Sequence, residues 1–211
     1  MRQIFTILTI VLSLSTVATA QISDDDFDWG VRLGLNYSSL GGADGGDYSV
    51  KTGGVIGLFT KHQLNNSFYL QPEINYTSKG VTDRVEIENY NYNFTLAFTY
   101  IEVPVLVKFD FGHDVRDSFK PELFVGPFAA IKLNSELTLD EDQNGHAIKI
   151  EDVKPFDYGF TFGGGLSTLI DNVDVFFELR YTYSIPSYDK SSENLDVNHR
   201  VLTISVGMFI N

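Results

Sequence analysis

Hydrophobic and polar residues alternate one by one along much of the chain, most clearly between Phe156 and Ile185. In the second half of that stretch only Phe176 breaks the alternation. A period of two residues is that of a β-strand, whose successive side chains point to opposite faces. Asp171-Asn172 separates the two halves and favours a tight turn. The pattern predicts a hairpin with a long aromatic face on one side and Glu178 and Arg180 on the other.

The same alternation recurs along the chain and predicts eight strands. They are 29–37, 53–62, 68–79, 95–109, 119–133, the two halves of 156–185, and 200–210. Pro72 and Pro104 each remove a ladder donor, so we interpret them as bulges or strand-end kinks.

The connections between these strands alternate between long and short. The long ones are about 38–52, 80–93, 134–155 and 186–198, and the third carries its own alternation, which predicts a projecting hairpin across Asn144-Gly145. Transmembrane barrels have an even number of antiparallel strands, short periplasmic turns and long outer loops. The sequence therefore predicts an all-β fold, an eight-stranded antiparallel up-and-down transmembrane β-barrel with four long extracellular loops.

The faces opposite the apolar rows carry charged residues, which a barrel would direct into its lumen. An eight-stranded barrel is too narrow for a channel once side chains fill it. We interpret these charges as pairs that hold the barrel shut rather than as a binding site. The predicted lumen charge network consists of Arg32, Glu73, Lys79, Glu102, Lys108, Glu178 and Arg180.

Residues 1–20 have the features of a secretory signal peptide. A cationic start precedes an apolar run around Ile4 to Leu14, and Ala18-Thr19-Ala20 ends the segment. We expect cleavage before Gln21, which leaves 21–211 as one barrel domain in the outer membrane; a buried N-terminal helix is the alternative. The chain has no cysteine, and no later apolar run has the length of a membrane-spanning helix. Membrane insertion would therefore use strands.

The net charge of the chain argues against nucleic acid as a partner. The chain has a formal charge of −13, and removing Arg2 with the leader leaves 14 basic against 28 acidic residues, a charge of −14. Nucleic acid needs a concentrated basic face, which the sequence lacks. The expected partners are outer-membrane lipid and other envelope or extracellular proteins. We expect a monomer without a cofactor.

Several segments together resemble a known family. They are G-V-R-L-G-L-N at Gly30–Asn36, F-Y-L-Q-P-E-I-N-Y-T-S-K-G at Phe68–Gly80, Y-I-E-V-P-V-L-V-K at Tyr100–Lys108, G-P at Gly126-Pro127 and S-V-G at Ser205–Gly207. With the leader, they resemble the PorT-like outer-membrane β-barrel proteins of Bacteroidetes. The resemblance implies an eight-stranded outer-membrane barrel, and most members of that family have no assigned activity. The namesake takes part in type IX secretion, but no motif here carries that role to this chain.

One motif has the spacing of a calcium loop. Asp140, Asp142, Asn144 and Glu151 satisfy D-x-[DN]-x-[DN]-G-x₅-E. The flanks alternate as strands rather than forming the two helices of an EF-hand. A hairpin turn with solvated acidic residues is therefore the preferred interpretation, and calcium binding is the alternative.

Catalytic motifs are weak throughout. His62, His113, His146 and His199 have no metal-ligand spacing. His199 with Ser184 or Ser205 is the most suggestive set, but a nucleophile-elbow motif is missing. We therefore expect no catalytic residues and no enzyme.

The predicted function is that of a non-porous outer-membrane barrel with a structural or interaction role through its four long loops. Two alternatives stay open: an outer-membrane lipid-modifying enzyme, and a soluble secreted lipocalin-like ligand-binding barrel.

Overall fold

The computed structural model describes residues 27–41, 49–87, 90–111, 119–140, 146–149, 155–171, 173–185 and 198–210. These residues form nine β-strands. They are β1 Phe27–Gly41, β2 Ser49–Gln63, β3 Phe68–Ile87, β4 Tyr90–Asp110, β5 Lys120–Asp140, β6 His146–Lys149, β7 Phe156–Ile170, β8 Val173–Ser184 and β9 Asn198–Ile210. Within these ranges there is no helix long and apolar enough to cross a bilayer.

Eight of the strands close into a barrel. The order around it is β4-β3-β2-β1-β9-β8-β7-β5, every pair is antiparallel, and β4 pairs with β5 to complete the circle. Among the described residues, strand β6 pairs with β5 alone. The predicted eight-stranded antiparallel up-and-down barrel is therefore confirmed.

The alternation of the sequence decides which side chains face outward. Leu33 and Ile56 are about three-fifths exposed, at 60% and 61%, whereas the inward-facing Glu178 is 0% exposed. The exposed charged side chains of the described strands and turns stand only at the two ends of this apolar band. Asp28 and Asp171 lie at the end that carries the connections 64–67 and 171–172 (the short-turn end), and Glu136 and Arg200 lie at the opposite end (the long-loop end).

Strands β3, β4 and β5 extend at least five residues past one predicted end. The predicted polar loop 80–93 is wrong, because β3 runs to Ile87 and β4 begins at Tyr90. Strand β5 pairs with β4 as far as Asp140, and Leu137 of β5 faces Ile148 of β6, which confirms a projecting hairpin. The projecting sheet consists of 83–87, 90–94, 134–140 and 146–149. The sequence of 80–93 resembles a loop because it lacks the long apolar row of a lipid-facing strand.

The two prolines do not shift the register of the sheet. Pro72 pairs with Val105, and the register is the same beyond it, at Asn75 and Glu102. The predicted bulges at Pro72 and Pro104 are therefore wrong: the missing donor interrupts pairing only locally. The register shifts instead between Val50 and Val55 and at Thr99/Tyr100. Both shifts lie near the long-loop rim, where bulges end a barrel wall.

Candidate functional site in the barrel lumen

The predicted charged residues all lie inside the barrel. The most accessible of them, Glu102, is 7% exposed. The structure places Arg32, Glu73, Lys79, Glu102, Lys108, Glu178 and Arg180 on the inner face of the barrel wall. They form two clusters, one in the middle of the lumen and one nearer the long-loop end.

Arg180 is the hub of the middle cluster. Its Nη1 and Nη2 donate to Oε2 and Oε1 of Glu73, both at 2.8 Å, which is the bidentate geometry of a guanidinium on a carboxylate. Its Nε donates to Glu178 Oε2, also at 2.8 Å. Lys108 Nζ donates to the other oxygen of Glu178 and, at 2.7 Å, to Glu122 Oε1. These five residues and Arg32 form the charge-paired centre.

Polar side chains add further hydrogen bonds to the charge-paired centre, while Arg32 Nε and Gln71 Oε1 are buried without a hydrogen-bond partner among the described residues. Glu73 also accepts from Gln71 Nε2 at 2.7 Å and from Asn75 Nδ2 at 3.0 Å. Arg32 Nη1 lies 3.4 Å from Glu73 Oε2, and its Nη2 donates to Ser205 Oγ at 2.9 Å. Within the charge-paired centre three cations face three carboxylates, and Lys61 Nζ lies 4.0 Å from Glu122 Oε2. A buried charge is tolerated when it is paired and hydrogen-bonded in this way.

The second cluster surrounds Lys79. Its Nζ lies 2.5 Å from Glu102 Oε2 and 3.5 Å from Asp157 Oδ2, and the ammonium stands 4.8 Å from the ring centre of Phe128. Ser184 Oγ donates to Asp157 Oδ2 at 3.0 Å. One lysine on β3 therefore contacts both β4 and β7, which are far apart in the chain.

Two carboxylates of the lumen were missing from the predicted network, namely Glu122 and Asp157. The fifth strand had no assigned facing, so Glu122 was not placed. Asp157 alternates with Phe156 and Tyr158, so its facing was readable from the sequence. The predicted set also contained four cations and three carboxylates, and this imbalance pointed to a missing acid.

Apolar side chains close both ends of the lumen. At the short-turn end the Phe59 ring stands 5.3 Å from Phe176 and 5.2 Å from Phe209. Phe176, the residue that breaks the alternation, is thus part of the seal. The long-loop end is filled by a buried cluster of Leu40, Val81, Leu96, Phe98, Tyr100, Phe128 and Ala130.

A small polar cavity separates the two charged clusters. The cavity has a volume of about 10 Å³. Its lining includes Arg32, Arg180, Lys79 and Glu102. That volume holds roughly one water.

His199 and its candidate serines do not form a nucleophile–base pair. The Ser184 hydroxyl donates to Asp157 and not to an imidazole, while Ser205 accepts from Arg32. Ser205 lies six residues from His199 on β9, which corresponds to roughly 20 Å along a strand. His199 itself is buried, with its ring 5.3 Å from Phe98 and 6.1 Å from Tyr100.

The calcium interpretation stays a prediction. Asp140 ends β5, and Asp142, Asn144 and Glu151 lie outside the described residues. Among the residues that are described, there is no group of three or more His, Cys, Asp or Glu side chains that would hold a metal ion. The predicted signal peptide, 1–20, also lies outside the described ranges.

The sequence matches a family model over most of its length. Residues 19–189 match the outer membrane protein beta-barrel domain. The chain belongs to this family. Its membership and the exposed apolar band place the barrel in the outer membrane, so the alternative of a soluble secreted barrel is wrong. The match ends before β9, which closes the barrel against β1.

Solved barrels of the outer membrane are similar to this chain at low sequence identity. The outer membrane protein OprG from Pseudomonas aeruginosa is 11% identical, with a TM-score of 0.50 over 88% of this chain and 97% of OprG. Neisserial surface protein A is 16% identical, with a TM-score of 0.46 over 86% and 97%. The outer membrane enzyme PagL is 13% identical, with a TM-score of 0.47 over 85% and 97%. Comparison with curated proteins gives no significant match.

Proposed function

We propose that this protein is a non-porous outer-membrane barrel with a structural or interaction role, carried by the long connections at its long-loop end. Both termini would be periplasmic, so that this end faces the outside of the cell. The observation that carries the proposal is the projecting sheet, which continues strands β3, β4 and β5 of the barrel wall. Four paired strands stand beyond the points where their neighbours end.

The lengths of the strands define this projection. Strand β3 has 20 residues and β4 and β5 have 21 each, whereas β8 has 12 and β9 has 13. Strand β2 begins opposite Thr82, and β7 begins opposite Ile131. A bilayer crossing takes about 9–11 tilted residues, so β3, β4 and β5 have many residues to spare. These residues are available for contact with other molecules.

The filled lumen supports a role other than transport. A solute would have to pass both apolar ends and the charge-paired centre. Opening that path would separate carboxylates and cations that are nearly free of solvent contact, at a cost of several kcal/mol, roughly that of breaking a buried pair. The role is therefore assigned to the outer surface.

We also infer that the closer relatives of this chain are the PorT-like proteins. The motif F-Y-L-Q-P-E-I-N-Y-T-S-K-G supplies Gln71, Glu73, Asn75 and Lys79, all of which are buried in the lumen. The motif Y-I-E-V-P-V-L-V-K supplies Glu102 and Lys108. The two most specific segments thus encode much of the lumen, which supports a shared interior rather than a shared activity.

Single cysteines test the orientation and the interaction role, since the native chain has none. Glu136 is exposed and lies in the projecting sheet, so the thiol of a Glu136→Cys variant is expected to react with a membrane-impermeant maleimide on intact cells. The matched control is Asn66→Cys in the short turn 64–67, where Asn66 is also exposed. Its thiol is expected to react only after the outer membrane is permeabilised.

A cleavable cross-linker attached to the thiol of the Glu136→Cys variant should then yield a discrete adduct with an envelope or extracellular protein. Labelling of the Asn66→Cys variant alone on intact cells would contradict the orientation. The lack of any adduct would contradict the interaction role.

A further inference from the structure

Two cations stand on the outer surface of the barrel at its long-loop end. Arg200 is exposed and lies on β9, and its guanidinium covers Gly41 of β1. Lys51 of β2 is partly exposed, and its Nζ lies 3.4 Å from Ser78 Oγ of β3. Ser78 stands between the lumen-facing Thr77 and Lys79, so its hydroxyl is on the outer face. Both cations therefore lie on the lipid-facing side of the wall, unlike the charges in the lumen.

Tyrosines locate these cations at the edge of the apolar band. Tyr183 pairs directly with Arg200 across β8 and β9, and Tyr37 pairs with Leu202, the next outward residue of β9. Tyr76 is the outward residue that precedes Ser78 on β3. All three tyrosine side chains are exposed, and aromatic girdles of this kind mark the level of the headgroups. Both cations therefore lie at the depth of lipid phosphates.

Neither cation has an acidic partner in the described part of the chain. The salt bridges found there involve Arg32, Lys61, Lys79, Lys108 and Arg180, and they leave out Arg200 and Lys51. Pairing with a carboxylate would be the default in a chain with nearly twice as many acidic as basic residues. At the short-turn end the exposed charged side chains are Asp28 and Asp171, and Lys120 is a partly exposed cation there.

We propose that Arg200 and Lys51 form a binding site for the phosphate groups of an outer-leaflet lipid. Strand β1 separates them, with Ser39 opposite Arg200 and Ser38 opposite Lys51. Two strand spacings put their backbones roughly 10 Å apart, which suits a headgroup with two phosphates. A basic residue near a membrane surface contributes about 1 kcal/mol to the binding of an anionic lipid.

The site prefers a lipid over a free anion because of its surroundings. Apolar side chains such as Leu202 and Ile204 continue directly below Arg200 on the same face, where acyl chains would lie. Inorganic phosphate would gain only the charge contacts and would lose them to water and salt. The inference shares with the proposed function only the orientation of the barrel, which the cysteine labelling tests separately.

The test measures lipid binding by the full-length folded protein in octyl glucoside, a detergent without phosphate. Native mass spectrometry follows a titration with diphosphoryl lipid A, and in parallel with the same lipid after enzymatic removal of its phosphates. The wild type is expected to retain the phosphorylated form preferentially. Arg200→Gln and Lys51→Gln should each weaken binding roughly 5-fold, and the double variant roughly 30-fold.

Lys120→Gln is the matched control, because it removes the same charge at the short-turn end and is expected to leave lipid binding unchanged. Unheated gel mobility checks that each variant is folded. Equal binding of the two lipid forms by the wild type, or unchanged binding by the double variant, would overturn the proposal. Competition by millimolar inorganic phosphate would overturn the assignment to a lipid.

Discussion

Replacing Arg180 with Met is expected to lower the free energy of unfolding of the barrel by about 3–5 kcal/mol, the cost of breaking a buried ion pair on one side. Arg180 supplies four of the hydrogen bonds to Glu73 and Glu178. Met fills much of the volume but leaves those carboxylates short of positive charge. Urea unfolding from lipid vesicles, followed by the fluorescence of the single tryptophan, Trp29, measures the change.

Two further variants separate charge pairing from packing. Arg200→Met makes the same chemical change on the outer surface and is expected to alter stability by no more than about 0.5 kcal/mol. Arg180→Met combined with Glu178→Met removes both charges and should recover part of the lost stability, since replacing a whole buried pair costs far less than breaking it. If Arg180→Met unfolds at the wild-type urea concentration, the charge-paired centre does not hold the barrel together.

Replacing Leu33 with Arg is expected to destabilise the barrel in lipid by about 2–4 kcal/mol, as a cation does at the bilayer midplane. Leu33 is 60% exposed and lies on β1 halfway between Trp29 and Tyr37. On a surface in contact with water, the same change at so exposed a position would have almost no effect. The size of the loss in unfolding free energy therefore shows whether lipid or water surrounds the apolar band.

Leu64→Arg is the matched control for this variant, because Leu64 is 53% exposed but belongs to the short turn 64–67. It is expected to leave the urea midpoint nearly unchanged. Equal effects at Leu33 and Leu64 would contradict the position assigned to the apolar band.

The barrel and its lumen were predictable because one physical constraint acts on every residue of a strand. Lipid on one side and a closed interior on the other force the alternation, so Glu178 and Arg180 were placed inside from their positions alone. Phe176 shows the limit of that rule. It faces inward like its charged neighbours, but the lumen at its level is an aromatic seal with Phe59 and Phe209 rather than an ionic cluster.

The alternation within 134–155 predicted the β5–β6 half of the projecting sheet, but the β3–β4 half was not predictable from the same constraint. Beyond the bilayer no lipid acts on one side of β3 and β4, so the sequence around Val85 and Ile87 lacks the long apolar row that identifies a strand. The position of Glu122 in the lumen was not predicted for a related reason, since its strand alternates less clearly. The contact of Ser184 with Asp157 joins two strands of one hairpin, but no motif in the sequence marks it.

The most direct test of a closed, charge-paired barrel in the outer membrane combines cell fractionation with gel mobility. The protein from the outer-membrane fraction is loaded in dodecyl sulfate with and without boiling. The expected result is that the protein stays with the outer membrane and that the unheated sample runs at a different position from the boiled one, because the folded barrel resists the detergent. Recovery in the soluble fraction, with the same mobility before and after heating, would contradict the barrel described here.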